Sequence, residues 1–283
     1  MNIKLIASDL DGTIIDKNNQ ISDKNFEAVN KIHNNNIDFV VCTGKSYSVS
    51  KKICDQFHAS YGVFGNGTHI VDLRTGKELL RKTISKNDLL FIITLAKRNN
   101  FHIHIYTDTD IISEKLEYMD LRNFILKNKN ANESLNFNIV DDILDFVENN
   151  IINAFSIVIT TENSLKNFQK LLCINKNIES VFINKRGKYR DNIINKDYEY
   201  LNISPININK NEALTFLVDY LNIKKDNILA IGDNVNDLEM VKHAGIGIAV
   251  NEAYDDLKNV AKYVTTATVS DGAFAEAINK FIN

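Results

Sequence analysis

The sequence predicts an α/β fold, a doubly wound parallel sheet into which a smaller α+β domain is inserted. Three observations carry this. Short apolar runs end abruptly in small or acidic residues, helical patterns alternate with them, and the middle of the chain instead alternates apolar with polar residues.

The runs follow in order. Ile3-Lys4-Leu5-Ile6-Ala7-Ser8 leads into Asp9, and Ile37-Asp38-Phe39-Val40-Val41-Cys42 into Thr43-Gly44. Tyr61-Gly62-Val63-Phe64 leads into Gly65-Asn66-Gly67, and Asn227-Ile228-Leu229-Ala230-Ile231 into Gly232-Asp233. Near-continuous apolar runs of this length read as strands buried on both faces, as in a parallel sheet. Between them, Phe26, Val29 and Ile32 share a helical face after a capping Ser22. Later, Leu238, Val241 and His243-Ala244 precede Gly245, a helix stop. Alternation of this kind implies right-handed crossovers and a Rossmann-like sheet whose ligands sit beyond the carboxyl ends of the strands. The polar residues that end each run fall at those ends.

From about Ile84 to Tyr200 the pattern changes. Helices are expected over Asn87 to Arg98, carrying Leu89, Ile92, Ile93 and Ala96, and over Ser164 to Leu172, carrying Leu165, Phe168 and Leu172. Phe101 to Tyr106 and Phe155 to Ile159 alternate with period two, which marks strands with one buried face. The expected division is a core of residues 1–83 and 200–283 with an inserted α+β cap over 84–199.

Composition narrows the classes. The 283 residues, 44% hydrophobic and 24% charged, describe an ordinary globular chain with material for two domains. A net charge of −3 argues against a nucleic-acid partner, because phosphate backbones are gripped by basic surfaces. Cys42, Cys54 and Cys173 are scattered without metal-ligand spacing, which suits a reducing compartment. Met1 to Leu10 is too short and too acidic for a signal peptide, and no apolar stretch is long enough to cross a membrane. A cytoplasmic protein without a membrane partner is expected.

The strongest chemical feature is Asp9-Leu10-Asp11-Gly12-Thr13, directly after a buried strand. Two carboxylates two residues apart project to the same side. One can attack phosphorus and coordinate a cation; the other can hold a proton for the leaving oxygen. Like charges so close push their pKa values apart, as a nucleophile paired with an acid requires. Gly12 permits a tight turn, and the Thr13 hydroxyl is placed to brace it. A solvated acidic turn is the plainer reading of Asp-x-Asp taken alone.

Gly232-Asp233-Asn234-Val235-Asn236-Asp237 also joins a strand to a helix. Its carboxylate can complete an oxygen-only site of the kind magnesium prefers, and Asn236 with the helix-start amides can face an anion. Alone, it reads equally as a helix cap made by Asn236 or Asp237. Thr43-Gly44 offers a hydroxyl and an amide to phosphate. Lys210, before the helical stretch Glu212 to Leu221, can neutralise it, although an isolated lysine is ordinarily a surface charge.

In this order, the four motifs resemble the haloacid dehalogenase (HAD) superfamily, and most of all its Cof-type phosphatases. Further local matches are Phe64-Gly65-Asn66-Gly67 with Ile70, Lys210 with Ala213-Leu214, and Asp237-Leu238-Glu239-Met240 leading to Ala244-Gly245. Ala261-Lys262-Tyr263-Val264-Thr265 followed by Asp271-Gly272 matches too. About eight residues separate Thr13 from the first helix, too few for a cap, whereas about 165 lie between Thr43 and Lys210. That places the cap as in class IIB members.

The resemblance implies a magnesium-dependent phosphatase acting on a small phosphorylated metabolite, a sugar phosphate or similar monoester, through an aspartyl-phosphate. Asp9 is then the nucleophile and Asp11 the general acid and base. Magnesium is held by the Asp9 carboxylate, the Asp11 backbone carbonyl and Asp233. Phosphate meets the Leu10 backbone, Thr43, Gly44, Lys210 and Asn236, while Asp237 orients Lys210 or a water on the metal. Three residues depart from the family pattern: Lys45 for the common arginine, Asn211 for a frequent glycine, and Asn251-Glu252 for Gly-Asn. Lys45 lacks the planar fork of arginine.

In the cap, His102, His104 and Tyr106 form the polar face of one strand and are candidates for substrate choice. Arg186, with Lys188 and Arg190, is a candidate for a second anionic group. A solvated face and a solvated hairpin are the plainer readings. The alternatives for function are a sugar phosphomutase of the same superfamily and a non-catalytic metabolite-binding relative. Either a monomer or a homodimer fits.

Overall fold

A computed structural model describes residues 2–114, 136–161, 165–185 and 198–282. The chain divides into two compact units, Met1–Arg81 with Ile208–Asn283, and the intervening Lys82–Asn207.

The first unit opens with β1 (Leu5–Ser8), α1 (Asp23–Asn34), β2 (Asp38–Cys42), α2 (Tyr47–Gln56), β3 (Tyr61–Phe64), β4 (His69–Asp72) and β5 (Lys77–Arg81). The second holds α3 (Lys86–Arg98), β6 (His102–Tyr106), β7 (Asp110–Ser113), β8 (Asn136–Ile139), α4 (Ile143–Asn149) and β9 (Ser156–Thr160). It ends with α5 (Lys166–Leu172), β10 (Ile178–Lys185) and β11 (Tyr198–Pro205). The first unit then resumes with α6 (Lys210–Tyr220), β12 (Ile228–Gly232), α7 (Leu238–His243), β13 (Ile246–Ala249), α8 (Asp255–Val260), β14 (Tyr263–Val264) and α9 (Ala273–Phe281).

The strands of the first unit form one sheet in the order β14-β13-β12-β1-β2-β3-β4-β5. It is parallel from β14 to β3, and β4 and β5 extend it antiparallel. The chain winds outward from β1 in one direction through β2 and β3, then returns to build β12 to β14 on the other side. The switch point is therefore the β1–β12 seam, where such sheets bind ligands. Ser8 pairs with Ile231 on one side and Val41 on the other, so these strands end level.

Alternation explains why both faces are covered. Ile6, Phe39, Val41, Leu229 and Ile231 join one cluster with Val29 and Ile32 of α1 and Phe274 and Ile278 of α9. Their strand neighbours Leu5, Ala7, Val40, Cys42 and Ala230 face a second cluster with Leu214, Leu217 and Val218 of α6. Phe39 lies 6.1 Å from Phe57 and 5.9 Å from Phe274, centroid to centroid. Truncating such a ring to alanine costs roughly 3–5 kcal/mol. Ser22 caps α1, its hydroxyl accepting from Asn25 N–H at 3.3 Å.

In the second unit the sheet order is β10-β11-β9-β6-β7-β8, antiparallel except for β7–β8. Ile103, Ile105, Ile157, Ile159, Leu201 and Ile203 turn one face toward α3, α4 and α5. The other face carries His102, His104 and Tyr106, paired across β9 with Thr160, Val158 and Ser156. His104 is buried, and loss of water pushes its imidazole down to about 4, so it is neutral. The polar face is thus partly desolvated, unlike an ordinary solvated strand surface.

Two local expectations are corrected. Lys210 does not precede its helix but is its first residue, because the Asn209 side chain caps α6 by accepting from Glu212 N–H at 2.9 Å. The helical turn that contains Met240 is not capped by Asn236. Asp237 holds the N-cap position of α7 without a side-chain bond to it, and Asn234 caps the 3-10 turn Val235–Asp237 just before, its side chain accepting from Val235 N–H at 2.7 Å.

Candidate active site

The site is built from loops at the carboxyl ends of β1, β2, β3 and β12. After β1, Asp9 N–H still donates to Ile231 O at 3.0 Å, which holds the residue in register one step beyond the strand. The chain then folds back. Leu10 O accepts from Thr13, Ile14 and Ile15 N–H, and Gly12 turns the corner at φ +84°. Leu10 and Thr13 are buried under this turn. The Thr13 hydroxyl finds no hydrogen-bond partner among the described residues, so it supports the turn by packing rather than by bonding.

A Cβ on Gly12 would stand 2.5 Å from Asp233 Oδ2. Glycine here lets the first loop and the fourth approach each other. A Cβ on Gly232 would likewise stand 2.4 Å from the Asp237 Cβ, so the chain after β12 folds tightly on itself. Asp237 Oδ2 accepts from Asp233 N–H and Asn234 N–H, both at 3.1 Å.

These approaches place one oxygen each of Asp9, Asp233 and Asp237 within 4.8 Å of one another. Lys210 binds two of them, Asp9 Oδ1 at 2.5 Å and Asp237 Oδ1 at 2.6 Å, and is itself wholly buried. One ammonium among three carboxylates leaves two negative charges uncompensated, and Asp233 Oδ1 is buried with no partner among the described residues. The consequence is visible in their acidities. Burial pushes the Asp9 carboxyl up to about 7, against the pull of Lys210 and with a further push from Asp237. Burial, then Asp9 and Asp237, push Asp233 up to about 8. Lys210 is raised despite its burial, because both carboxylates hold its proton. Unpaired hard oxygen donors in so confined a space suit a small divalent cation such as magnesium.

The carboxylate that completes this buried cluster is Asp237, not the side chain of Asp11. Asp11 stands at the rim, its side chain 45% exposed, and takes an ion pair from Lys45 Nζ at 3.0 Å. Its charge is still close enough to push the pKa values of Asp9 and Asp233 further up. Thr43 is buried, its hydroxyl accepting from Lys45 N–H at 3.1 Å. Gly44 lies against Asn66, where a Cβ would come within 3.1 Å of the amide oxygen. Asn236 is exposed, and its Nδ2 donates to Asn66 Oδ1 at 3.0 Å. The loops therefore gather Asp9, Asp233, Asp237 and Lys210 at one point, and tie Thr43, Gly44 and Asn236 together through Asn66.

Sequence reasoning assigned no role to Asn66 and treated Lys45 only as a departure. A lone asparagine between two glycines at a strand end is the signal that marked Asn66. His102, His104 and Tyr106 belong to the second unit, and Arg186 lies outside the described residues.

A family model described as haloacid dehalogenase-like hydrolase matches residues 6–278, and the chain belongs to that family. Within it the chain is a phosphatase of the Cof type. A Bacillus subtilis 5-amino-6-(5-phospho-D-ribitylamino)uracil phosphatase, YwtE, is 29% identical over 282 residues, covering 95% of each chain. A second from the same organism with the same named activity, YcsE, is 25% identical over 283 residues, 100% of this chain and 97% of the relative. Among solved structures, a haloacid dehalogenase-like hydrolase from Bacteroides thetaiotaomicron superposes with a TM-score of 0.81 at 22% identity, covering 98% and 99% of the two chains. The HAD subclass IIB sugar phosphatase BT4131 does so with a TM-score of 0.75 at 15% identity, covering 98% of each. At these identities the structures establish the fold. No helix among the described residues is long and apolar enough to cross a membrane.

Proposed function

We propose that this phosphatase is magnesium-dependent and hydrolyses small phosphate monoesters, sugar phosphates or similar compounds, through an aspartyl-phosphate on Asp9. The observation that carries the reading is a buried carboxylate at the β1–β12 switch point, held by Lys210 and accompanied by Asp233, whose Oδ1 has no hydrogen-bond partner among the described residues. The Asp9 carboxylate, the Asp11 carbonyl and Asp233 would hold magnesium, which when bound supplies positive charge to the phosphoryl oxygens.

The remaining steps belong to the chain. Lys210 fixes the rotation of the Asp9 carboxylate and neutralises phosphate as it arrives. Thr43, the Gly44 amide, the Leu10 backbone and the Asn236 amide receive the phosphoryl oxygens. Asp9 attacks phosphorus in line, and the bond to the leaving oxygen breaks as Asp11 gives that oxygen a proton. Asp11 then takes a proton from water, whose oxygen attacks the same phosphorus and frees Asp9. Asp11 stands at the rim, where proton exchange with solvent is open, and Lys45 holds it there.

Substrate choice falls to the inserted unit, with His102, His104, Tyr106 and Arg186 as its candidates. Relatives named for a phosphorylated ribitylaminouracil and for sugar phosphates favour phosphorylated polyols and sugars. The same reading puts the enzyme in the cytoplasm, as a monomer or homodimer.

The test is phosphate release from a panel of sugar phosphates, ribitylaminouracil phosphate, nucleotides, flavin mononucleotide and pyridoxal phosphate, with and without magnesium. Release that needs magnesium and is lost in Asp9→Asn is expected. Turnover undiminished in that variant overturns the mechanism, and an isomer in place of free phosphate makes the enzyme a mutase.

A further inference from the structure

Asn66 lies in a short 3-10 turn, Gly65–Gly67, with φ +56° and ψ +26°. Asparagine tolerates this left-handed region, and Asn19, Asn36, Asn100, Asn207 and Asn222 adopt it as well. What distinguishes Asn66 is the set of loops it joins. Its N–H donates to Thr43 O at 3.0 Å, and Gly65 N–H donates to Lys45 O at 2.9 Å, which binds the turn to the loop after β2. Its side-chain oxygen accepts from Asn236 Nδ2 at 3.0 Å, which binds it to the loop after β12. Gly67, at φ +113°, leaves room for the Asn209 carbonyl, which a Cβ would meet at 2.5 Å. The start of α6, and with it Lys210, is seated on the same turn.

A primary amide that stands exposed can rotate, and only its NH2 end favours an anion; its oxygen repels one. Asn236 has two N–H groups. Asn66 Oδ1 takes one, which fixes the orientation of the amide and leaves the other N–H for a phosphoryl oxygen. Glycine at position 66 would satisfy the backbone equally well but would supply no acceptor.

We propose that Asn66 is a positioning residue for phosphate, acting through Asn236 and resting on the phosphatase reading above. It sets the donor end of Asn236 toward the anion and holds the Thr43-Gly44 loop beside it.

The test is a double-mutant cycle on binding of inorganic phosphate, measured by calorimetry with magnesium present, using Asn66→Gly, Asn236→Ala and the double variant. Each single change should weaken phosphate about tenfold, or roughly 1.4 kcal/mol. The double variant should be no weaker than Asn236→Ala alone, because the effect of Asn66 passes through Asn236. In turnover, Asn66→Gly should raise KM about tenfold and move kcat less than about threefold. Additive losses, about a hundredfold in the double variant, overturn the proposal, as does unchanged phosphate affinity in Asn66→Gly. Should Asn66→Gly fail to fold, the Asn236 side-chain order parameter in the wild type is read instead. A rigid value near 0.85 is expected, and one below about 0.6 overturns the proposal. A wild type that binds phosphate yet releases none from any ester refutes the phosphatase reading while the binding cycle still decides the role of Asn66.

Discussion

Lys210 Nζ stands 2.6 Å from Asp237 Oδ1, and neither side chain reaches solvent. The same ammonium contacts Asp9, while the second oxygen of Asp237 is occupied by the Asp233 and Asn234 amides. Asp237 thus connects the lysine to the loop that carries Asp233. The proposed nucleophile and the proposed metal ligand are held by one buried pair.

Lys210→Met tests that pair. It leaves Asp9 and Asp237 buried without a counter-charge, and breaking a buried pair from one side costs about 3–5 kcal/mol. A lower melting temperature is expected together with phosphate release reduced by roughly 100-fold or more. A variant that melts and turns over like the wild type would show that the contact does neither job.

With metal removed by EDTA, the crowded carboxylates should make stability fall as pH rises. Asp233 and Asp9 hold their protons up to about 8 and about 7 in the fold, against 3.8 when exposed. Their protonated forms are favoured by the fold, so this stabilisation is full below about pH 3.8 and is lost as pH rises through 7 and 8. Thermal melts in EDTA between pH 4 and 8 should decline, and Asp233→Asn should flatten the decline. Magnesium at pH 8 should restore the melting temperature. A metal-free melting temperature that rose steadily over this range would contradict the crowding.

The fold was readable wherever a strand is buried on both faces. Leu5–Ser8 and Ile228–Gly232 are such strands, and each ends abruptly at an acidic loop. The antiparallel extension was not: His69–Asp72 is largely buried but offers only Ile70-Val71 between two polar residues, and Lys77–Arg81 is half-exposed, with only Leu79-Leu80 between charged residues. Loop chemistry was legible in part. Spacing put Asp9 and Asp11 side by side along the chain, but depth is a tertiary property. The turn that buries Asp9 sends Asp11 to the rim, and the 3-10 turn after Gly232 brings Asp237 inward in its place. Asn209 was hidden as a cap among the neighbouring asparagines Asn207 and Asn211, which is why Lys210 read as lying outside its helix.

Gly12→Ala should damage the site more than the fold. An alanine at φ +84° costs about 1–2 kcal/mol in backbone strain. Its Cβ, 2.5 Å from Asp233 Oδ2, must also push that carboxylate away from Asp9. The expected result is a small drop in melting temperature with a tenfold or greater rise in the magnesium concentration needed for half-maximal phosphate release. Unchanged magnesium dependence would mean that Asp233 is free to move at no cost, or holds no metal.

Glu276, on α9, anchors the loop after β14 from outside the site. Its carboxylate accepts from Tyr263 Oη, from the Thr266 hydroxyl, and from Thr266 and Ala267 N–H, the last at 2.7 Å. Burial is the largest single influence and pushes the carboxyl pKa up, but these bonds together outweigh it and hold the pKa down at about 2, from 4.5 when exposed. A depressed carboxylate stabilises the fold above pH 4.5 and loses that effect as pH falls toward 2. Glu276→Gln removes the charge and turns one acceptor into a donor facing backbone N–H groups. The variant should melt below the wild type at pH 7, and the two should converge as pH drops from 4.5 to 2. The loop is remote from Asp9 in the sequence and contributes none of the groups assigned to phosphate, so kcat at 25 °C should stay within about twofold. A melting difference that persisted undiminished at pH 2 would mean that the anchor works through shape and not through charge.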